Sequence, residues 1–275
     1  MDKLEVCIKQ WFGFVVHDLG QFVIIVGTIY LIVNVVMASI LKNREIQKQK
    51  IGAKQLMREV LFSIVTVCIF SGMGWLVHFG PLRPFTLLYT DLDVYSFGVA
   101  GLEWAYLVFS LSLAILLHDA YFYWVHRTMH HPAIYRYVHR LHHRSVTPCP
   151  TTAYAFAPGE AVLNALFLPL LLFVIPMHPI TIGLFTMVMI ARNTLAHTGI
   201  EVFPAGFVSG PFGWSTTVTH HDLHHLHGVG NYGFYFTWWD RLMGTERVDY
   251  ETRFRQTTEM GVPFVERVEE EVETA

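Results

Sequence analysis

The chain has 275 residues, of which 53% are hydrophobic and 15% charged, with a formal net charge of −3. Soluble domains carry roughly 25% charged residues, so this is the composition of one large membrane-embedded domain. It excludes a nucleic-acid-binding surface, because no Lys/Arg-rich face interleaved with aromatics is present.

Residues 1–20 are mixed in character and include Trp11 and Phe12, whose rings suit a membrane interface. Residues 21–41 are almost uncharged and long enough to cross a hydrocarbon layer of about 30 Å as a helix. Basic residues follow this run rather than precede it, which argues for a retained span over a cleaved signal peptide. Lys42, Arg44, Lys48, Lys50, Lys54 and Arg58 form a basic loop, cytoplasmic by the positive-inside rule, which puts the N-terminus outside. A second apolar run, 60–79, is stopped by Gly80-Pro81 and returns the chain outward. The connector beyond it carries Asp91, Asp93 and Glu103 against Arg83 alone. A third span, from about Trp104, leads inward and delivers His118 and His126 toward its cytoplasmic end.

Arg127, Arg136, Arg140 and Arg144 flank the next segment, again a cytoplasmic signature. Pro148, Pro150 and Pro158 break it into turns. Residues 161–191 read as two apolar pieces around Pro176-Met177-His178-Pro179, forming either a full helical hairpin or a re-entrant one. Either version returns the chain to the side it left. Residues 228–275 lose the apolar runs and end in an acidic segment, 266–273, expected to be solvated. The expected fold is therefore an all-α, multi-pass integral membrane protein with about four to five transmembrane or re-entrant helices. Its expected divisions are membrane spans and loops over 1–103, a histidine-bearing unit over 104–250 and a charged cytosolic tail over 251–275.

The histidines organise this arrangement. His126 and His130 stand four residues apart, and His139, His142 and His143 follow as H-x-x-H-H. At about 100° per residue each set projects from one helical face. A second H-x-x-H-H recurs as His221, His224 and His225, and topology brings it and His197 to the same side as the first sets. So many neighbouring buried imidazoles without partners, or charged together, would be costly, so a shared metal is expected. His17, His78 and His178 are expected to be ordinary core or interfacial residues, while His118, His220 and His227 are open between ligand, supporting group and surface. Ligand type alone leaves Fe, Zn, Cu and Ni open. Ligand number narrows this: one tetrahedral zinc uses four, whereas eight or nine nitrogens suit two metals that keep positions free for an exogenous ligand. Asp119 and Asp222 are the carboxylates expected to accept a ligand's free ring N–H and fix its tautomer. Asp240 and Arg241 are expected to pair structurally. Cys7, Cys68 and Cys149, scattered and without C-x-x-C spacing, read as buried bystanders.

These boxes resemble those of the fatty acid hydroxylase/sterol desaturase superfamily, over roughly residues 100–250. The resemblance matches His126 and His130 to an H-x-x-x-H box and the two later sets to H-x-x-H-H boxes. The run N-Y-G-F-Y-F-T-W-W-D-R-L-M-G-T resembles the stretch after the last box in sterol C5-desaturases and sterol C4-methyl monooxygenases. His197, in N-T-L-A-H-T-G, sits where relatives carry a histidine. Many sterol-acting relatives have His-Pro where this chain has Ala157-Pro158, while Glu160 keeps the acidic residue that often follows. The resemblance implies two iron ions held by His126, His130, His139, His142, His143, His197, His221, His224 and His225. It also implies O₂-dependent hydroxylation or desaturation of a lipid, sterol or fatty acyl/sphingoid, in a bacterial inner membrane or endoplasmic reticulum. No dinucleotide fingerprint and no His-Pro-Gly-Gly haem segment occurs, so a separate electron donor is expected, a cytochrome b5 or a ferredoxin with its reductase. The rival reading is a histidine-lined membrane metal transporter or storage protein, which should place ionisable residues deep within its spans. A catalytically dead membrane scaffold is the blander one.

Overall fold

The computed structural model describes residues 2–48 and 51–261; Lys50 and the acidic segment 266–273 lie outside them. Among the described residues the architecture is all-helical, with isolated bridges such as Glu45 to Ile200 in place of strands. Four helices are long and apolar enough to cross a membrane: Lys3–Val36, Ala53–His78, Leu102–Met129 and Pro179–Ala196.

The first helix, α1 (Lys3–Tyr30), continues as a wider π-turn to Val36 and begins well before the expected start at residue 21. The early charges conceal it. Lys9 and Glu5 pair along one face at 2.8 Å, while Leu4, Ile8, Phe12 and Val16 recur every fourth residue as an exposed apolar stripe that suits lipid. Helix α2 (Ala53–His78) packs antiparallel to it and stops where Pro81 supplies no N–H. Helix α3 (Leu102–Met129) is followed by α4 (Pro132–Val138) and α5 (Arg140–His143), short because His131 caps α4 through Ala133 N–H and Pro132 opens it.

The region 158–196 makes three helices. Helices α6 (Pro158–Ala165) and α7 (Phe167–Val174) break at Leu166, which leaves Pro169 in the first turn of α7, where its missing N–H costs no helical bond. Helix α8 (Pro179–Ala196) is opened by His178, whose Nδ1 accepts from Ile180 N–H. Helix α9 (Val218–His227) lies against α8 and is followed by α10 (Trp238–Met243) and α11 (Tyr250–Arg255). Buried Phe22, Val67, Tyr154 and Ile190 join α1, α2 and α8, and a second cluster around Leu172, Met177 and Phe185 joins α7 and α8.

Candidate metal centre

Every box histidine sits at a helix end or in a short helix beside one. His126 and His130 close α3, and His139 is the residue from which α5 starts. His221, His224 and His225 share one face of α9, whose other face buries Leu223 against Tyr250 and Phe254. The start of α9 is held by the fully buried Glu201, which accepts from Thr219 N–H at 2.8 Å and Thr219 Oγ1 at 2.7 Å. A carboxylate is favoured at that helix end by the exposed N–H groups. Burial raises the pKa of Glu201 despite these bonds.

The nine expected ligands fall into two nests. His126, His130, His139, His143 and His224 form one; His142, His197, His221 and His225 form the other, and within each nest the ligand atoms lie within 4.8 Å of one another. The nests abut, with the His143 and His225 rings stacked at 4.9 Å. In the five-histidine nest His126 Nε2 is 3.1 Å from His139 Nε2, and His130 Nε2 is 3.2 Å from His224 Nε2. In the other, His197 Nε2 stands 3.0 Å from His221, 3.2 Å from His225 and 3.4 Å from His142.

Tautomers follow from what lies behind the rings. A carbonyl only accepts, so a ring nitrogen bonded to one carries the proton and leaves the opposite nitrogen with its lone pair. His126 Nδ1 donates to Tyr232 O, His224 Nδ1 to Gly230 O, His197 Nδ1 to Asn193 O and His225 Nδ1 to Ser145 O, at 2.7–3.0 Å. The Nε2 lone pairs of His197 and His225 therefore face each other at 3.2 Å. Two lone pairs so placed repel unless a cation lies between them. Metal–nitrogen bonds of about 2.0–2.1 Å set ligand nitrogens about 3.0–3.4 Å apart, so this donor set fits a metal in each nest. Burial, and then neighbouring imidazoles, hold His139, His142, His143, His221, His224 and His225 well below the usual histidine range, and burial lowers His197 to about 4. These rings are neutral, the form that binds metal.

Around the nests the carboxylates are arranged differently from expectation. Asp119 Oδ1 accepts Tyr235 N–H at 2.8 Å and Phe236 N–H at 3.1 Å, tying α3 to the chain after α9. Asp222 points away from its neighbours on α9 and accepts from Gln47 Nε2 at 2.6 Å; burial pushes it up to about 7. The carboxylate beside a nest is Glu160, whose Oε1 lies 2.8 Å from His139 Nδ1, in contact though off the hydrogen-bond direction. The expected Asp240–Arg241 pair is also replaced: buried Asp240 accepts from Tyr232 and Gly233 N–H, and Arg241 turns outward to Glu246 at 3.1 Å. Of the histidines left open, His220 lies 3.5 Å from Asp240, and His118 points away from the nests with its Nδ1 3.2 Å from the Tyr235 hydroxyl.

Two features carried no signal in the sequence. Glu59 on α2, fully buried, accepts from Gln55, Ser145 and Thr152 on one oxygen and from Cys149 and Thr151 on the other, at 2.6–3.0 Å. Cys149 is thus a donor rather than a bystander. Second, a cavity of about 540 Å³ lies between α1, α2, α8 and the break after α6. Aromatic steps lead from its wall to both nests: His118 to Phe122 to His126 at 6.0 and 5.1 Å, and Tyr154 to Phe156 to His142 at 6.0 and 5.2 Å.

A family model described as fatty acid hydroxylase matches residues 111–245, the stretch that holds all nine histidines. Among curated proteins the chain is 32% identical to a Delta(7)-sterol 5(6)-desaturase of Gibberella zeae, covering 70% of this chain and 56% of that one. It is 30% identical to lathosterol oxidase of Rattus norvegicus, over 70% and 61%, and 30% identical to methylsterol monooxygenase 1 of Rattus norvegicus, over 53% and 49%. The chain thus spans 49–61% of the length of these relatives. No solved structure matches significantly.

Proposed function

This chain carries a domain of the fatty acid hydroxylase family, and on that premise we propose that it is a membrane-bound oxidoreductase that hydroxylates or desaturates a lipid with O₂. The observation that carries this reading is the convergence of nine histidines into two adjacent nests, four of them with their lone pairs turned inward by main-chain carbonyls. His126, His130, His139, His143 and His224 would hold one iron and His142, His197, His221 and His225 the other. An iron pair, when bound, supplies the oxidation of an unactivated C–H bond by O₂ with two added electrons.

The rest is the work of the chain's own residues. Main-chain carbonyls fix four of the rings before any metal arrives, two in each nest, which lessens the reorganisation left for binding. Phe122, Phe156 and Tyr154 keep the approach from the cavity apolar, which excludes water from the reacting carbon. A lipid enters the cavity from the bilayer. Residues 104–250 form the catalytic unit on this reading, 1–103 the accompanying membrane spans, and 251–275 a charged tail. The metal side faces the cytoplasm, where Arg136, Arg140 and Arg144 are exposed and suit an acidic electron carrier such as cytochrome b5 or ferredoxin.

The test is metal analysis and O₂ uptake on detergent-purified protein and its His142→Ala variant, with an electron donor and a lipid extract followed by mass spectrometry. An iron pair per chain, diminished in the variant, with a lipid gaining one oxygen or losing two hydrogens, is the expected result. Stoichiometric zinc without O₂ uptake or lipid change would favour metal transport or storage instead.

A further inference from the structure

The cavity has polar groups that the metal chemistry leaves unused. Residues between Gln10 and Gln21 on α1, between Val67 and His78 on α2 and between Pro179 and Ile190 on α8 line it, so it runs about 16 Å beside these helices. Its wall is largely apolar, and neither Lys nor Arg contributes to it. Asp18 is its one carboxylate. Asp18 Oδ2 accepts from Ser71 Oγ at 2.7 Å, and Oδ1 lies 3.0 Å from His17 Nδ1. Ser71 is fully buried midway along the apolar run 60–79, so Asp18 stands at membrane depth, where an ionisable residue is costly and marks a functional site. Asn164, at the end of α6, lines the same cavity, and its Oδ1 is buried with no hydrogen-bond partner. Asn164 Oδ1 awaits a donor, and Asp18, already bonded to Ser71 and facing His17, keeps lone pairs for another.

We propose that this cavity selects a lipid whose head group donates hydrogen bonds and carries no negative charge, a hydroxyl or an amine, with Asp18 and Asn164 as the specificity-determining residues. This rests on the lipid-oxidising reading above and narrows its substrate class. A carboxylate or phosphate head would set negative charge against Asp18, where the wall offers imidazoles at His17, His78 and His118 but no lysine or arginine to offset it, and would leave Asn164 Oδ1 without a donor. Free fatty acids and phospholipids are thereby rejected. Asp18 belongs to a helix that precedes the matched domain and Asn164 lies within it, so head-group choice is shared between the N-terminal helix and the part of the chain that holds the histidines.

Binding tests this without turnover. Octadecanol, octadecylamine and stearate share one chain and differ in the head. The full chain in neutral detergent would be titrated with each, following thermal midpoint and retention in native mass spectrometry. Octadecanol or octadecylamine should bind at least about tenfold more tightly than stearate, and the two donor arms distinguish alcohol from amine. Asp18→Asn should bring octadecanol and stearate to within about threefold of each other, and Asn164→Leu should weaken octadecanol about tenfold, both with metal content unchanged. Equal or tighter binding of stearate, unchanged preference in Asp18→Asn, or no binding of either donor lipid would overturn the proposal. The wild-type ranking stands even where a variant folds poorly. Absence of O₂ uptake alongside an intact ranking would sink the oxidation chemistry and leave head-group selection standing.

Discussion

His197 is fixed from behind by Asn193 O and offers Nε2 to three other rings. Its nest has four nitrogens, so His197→Ala leaves three, and we expect metal content to fall by about half while the five-histidine nest keeps its ion, as read by elemental analysis. Loss of both metals, or of neither, would contradict two separable nests. Glu160→Ala, which removes the carboxylate facing His139, should weaken metal binding about 10- to 100-fold in a chelator competition, with Glu160→Gln milder. The buried rings also fix a pH dependence. Their pKa values are lowered on folding, so below about 6.5 the unfolded chain takes up protons that the folded one refuses. Stability of the metal-free protein should be constant above about pH 7 and fall as pH drops from there toward 5, measured as the thermal midpoint; a flat profile would mean that these rings protonate freely in the folded state. At this scale the histidines were legible because helical spacing is written in the sequence. Asp119 and Asp222 misled because proximity along the chain says nothing of where a carboxylate points: Asp119 reaches the 235–236 backbone, and Asp222 reaches Gln47.

Among the elements, the loop 145–152 is tied to α2 chiefly by Glu59, with Gln55, Arg58 and Ser63 each adding a bond. Glu59 gathers four donors from it, and the same loop supplies Ser145 O, which orients His225. Glu59→Ala would strand several buried donors at about 1–3 kcal/mol each, and we expect a marked drop in thermal midpoint with weakened metal binding in the four-histidine nest. Glu59→Gln, which keeps most acceptors, should lie between; an unchanged midpoint in Glu59→Ala would mean water replaces the carboxylate without cost. The chain from α9 to α10 has a comparable constraint at Gly230, where φ is 76° and a Cβ would come 2.8 Å from Thr245 O. Gly230→Ala should shift the carbonyl that holds His224 and loosen the metal of the five-histidine nest. The end of α2 and the start of α3 were readable from hydropathy to within a few residues, whereas α2 begins at Ala53, ahead of the expected residue 60. The start of α1 was not readable, because its first turns mix charge with a lipid-facing stripe, and the split of 158–174 was not, because no Gly, Pro or charged residue stands at the break, Leu166.

For the whole molecule, α3 joins the 91–101 connector to the metal side over 28 residues, about 42 Å of helix. Cysteines introduced at Phe97 and at Arg136, both exposed, should therefore react with a membrane-impermeant maleimide from opposite sides of sealed vesicles. Labelling from one side would refute α3 as a span. That the histidine sets come together was foreseeable from the sequence, whereas the cavity was not, because its wall is assembled from α1, α2 and α8, residues far apart in the chain.

Four nest rings lean on main-chain oxygens, at Ser145, Asn193, Gly230 and Tyr232. No point substitution can delete a carbonyl, so this support is indifferent to sequence drift as long as the path of the chain is kept. A one-residue insertion or deletion between 226 and 230 would displace two of the four at once. What evolution must conserve there is the length of the segment and the glycine at 230 more than its other letters, and related chains should tolerate exchange at those other positions far better than a change in their count.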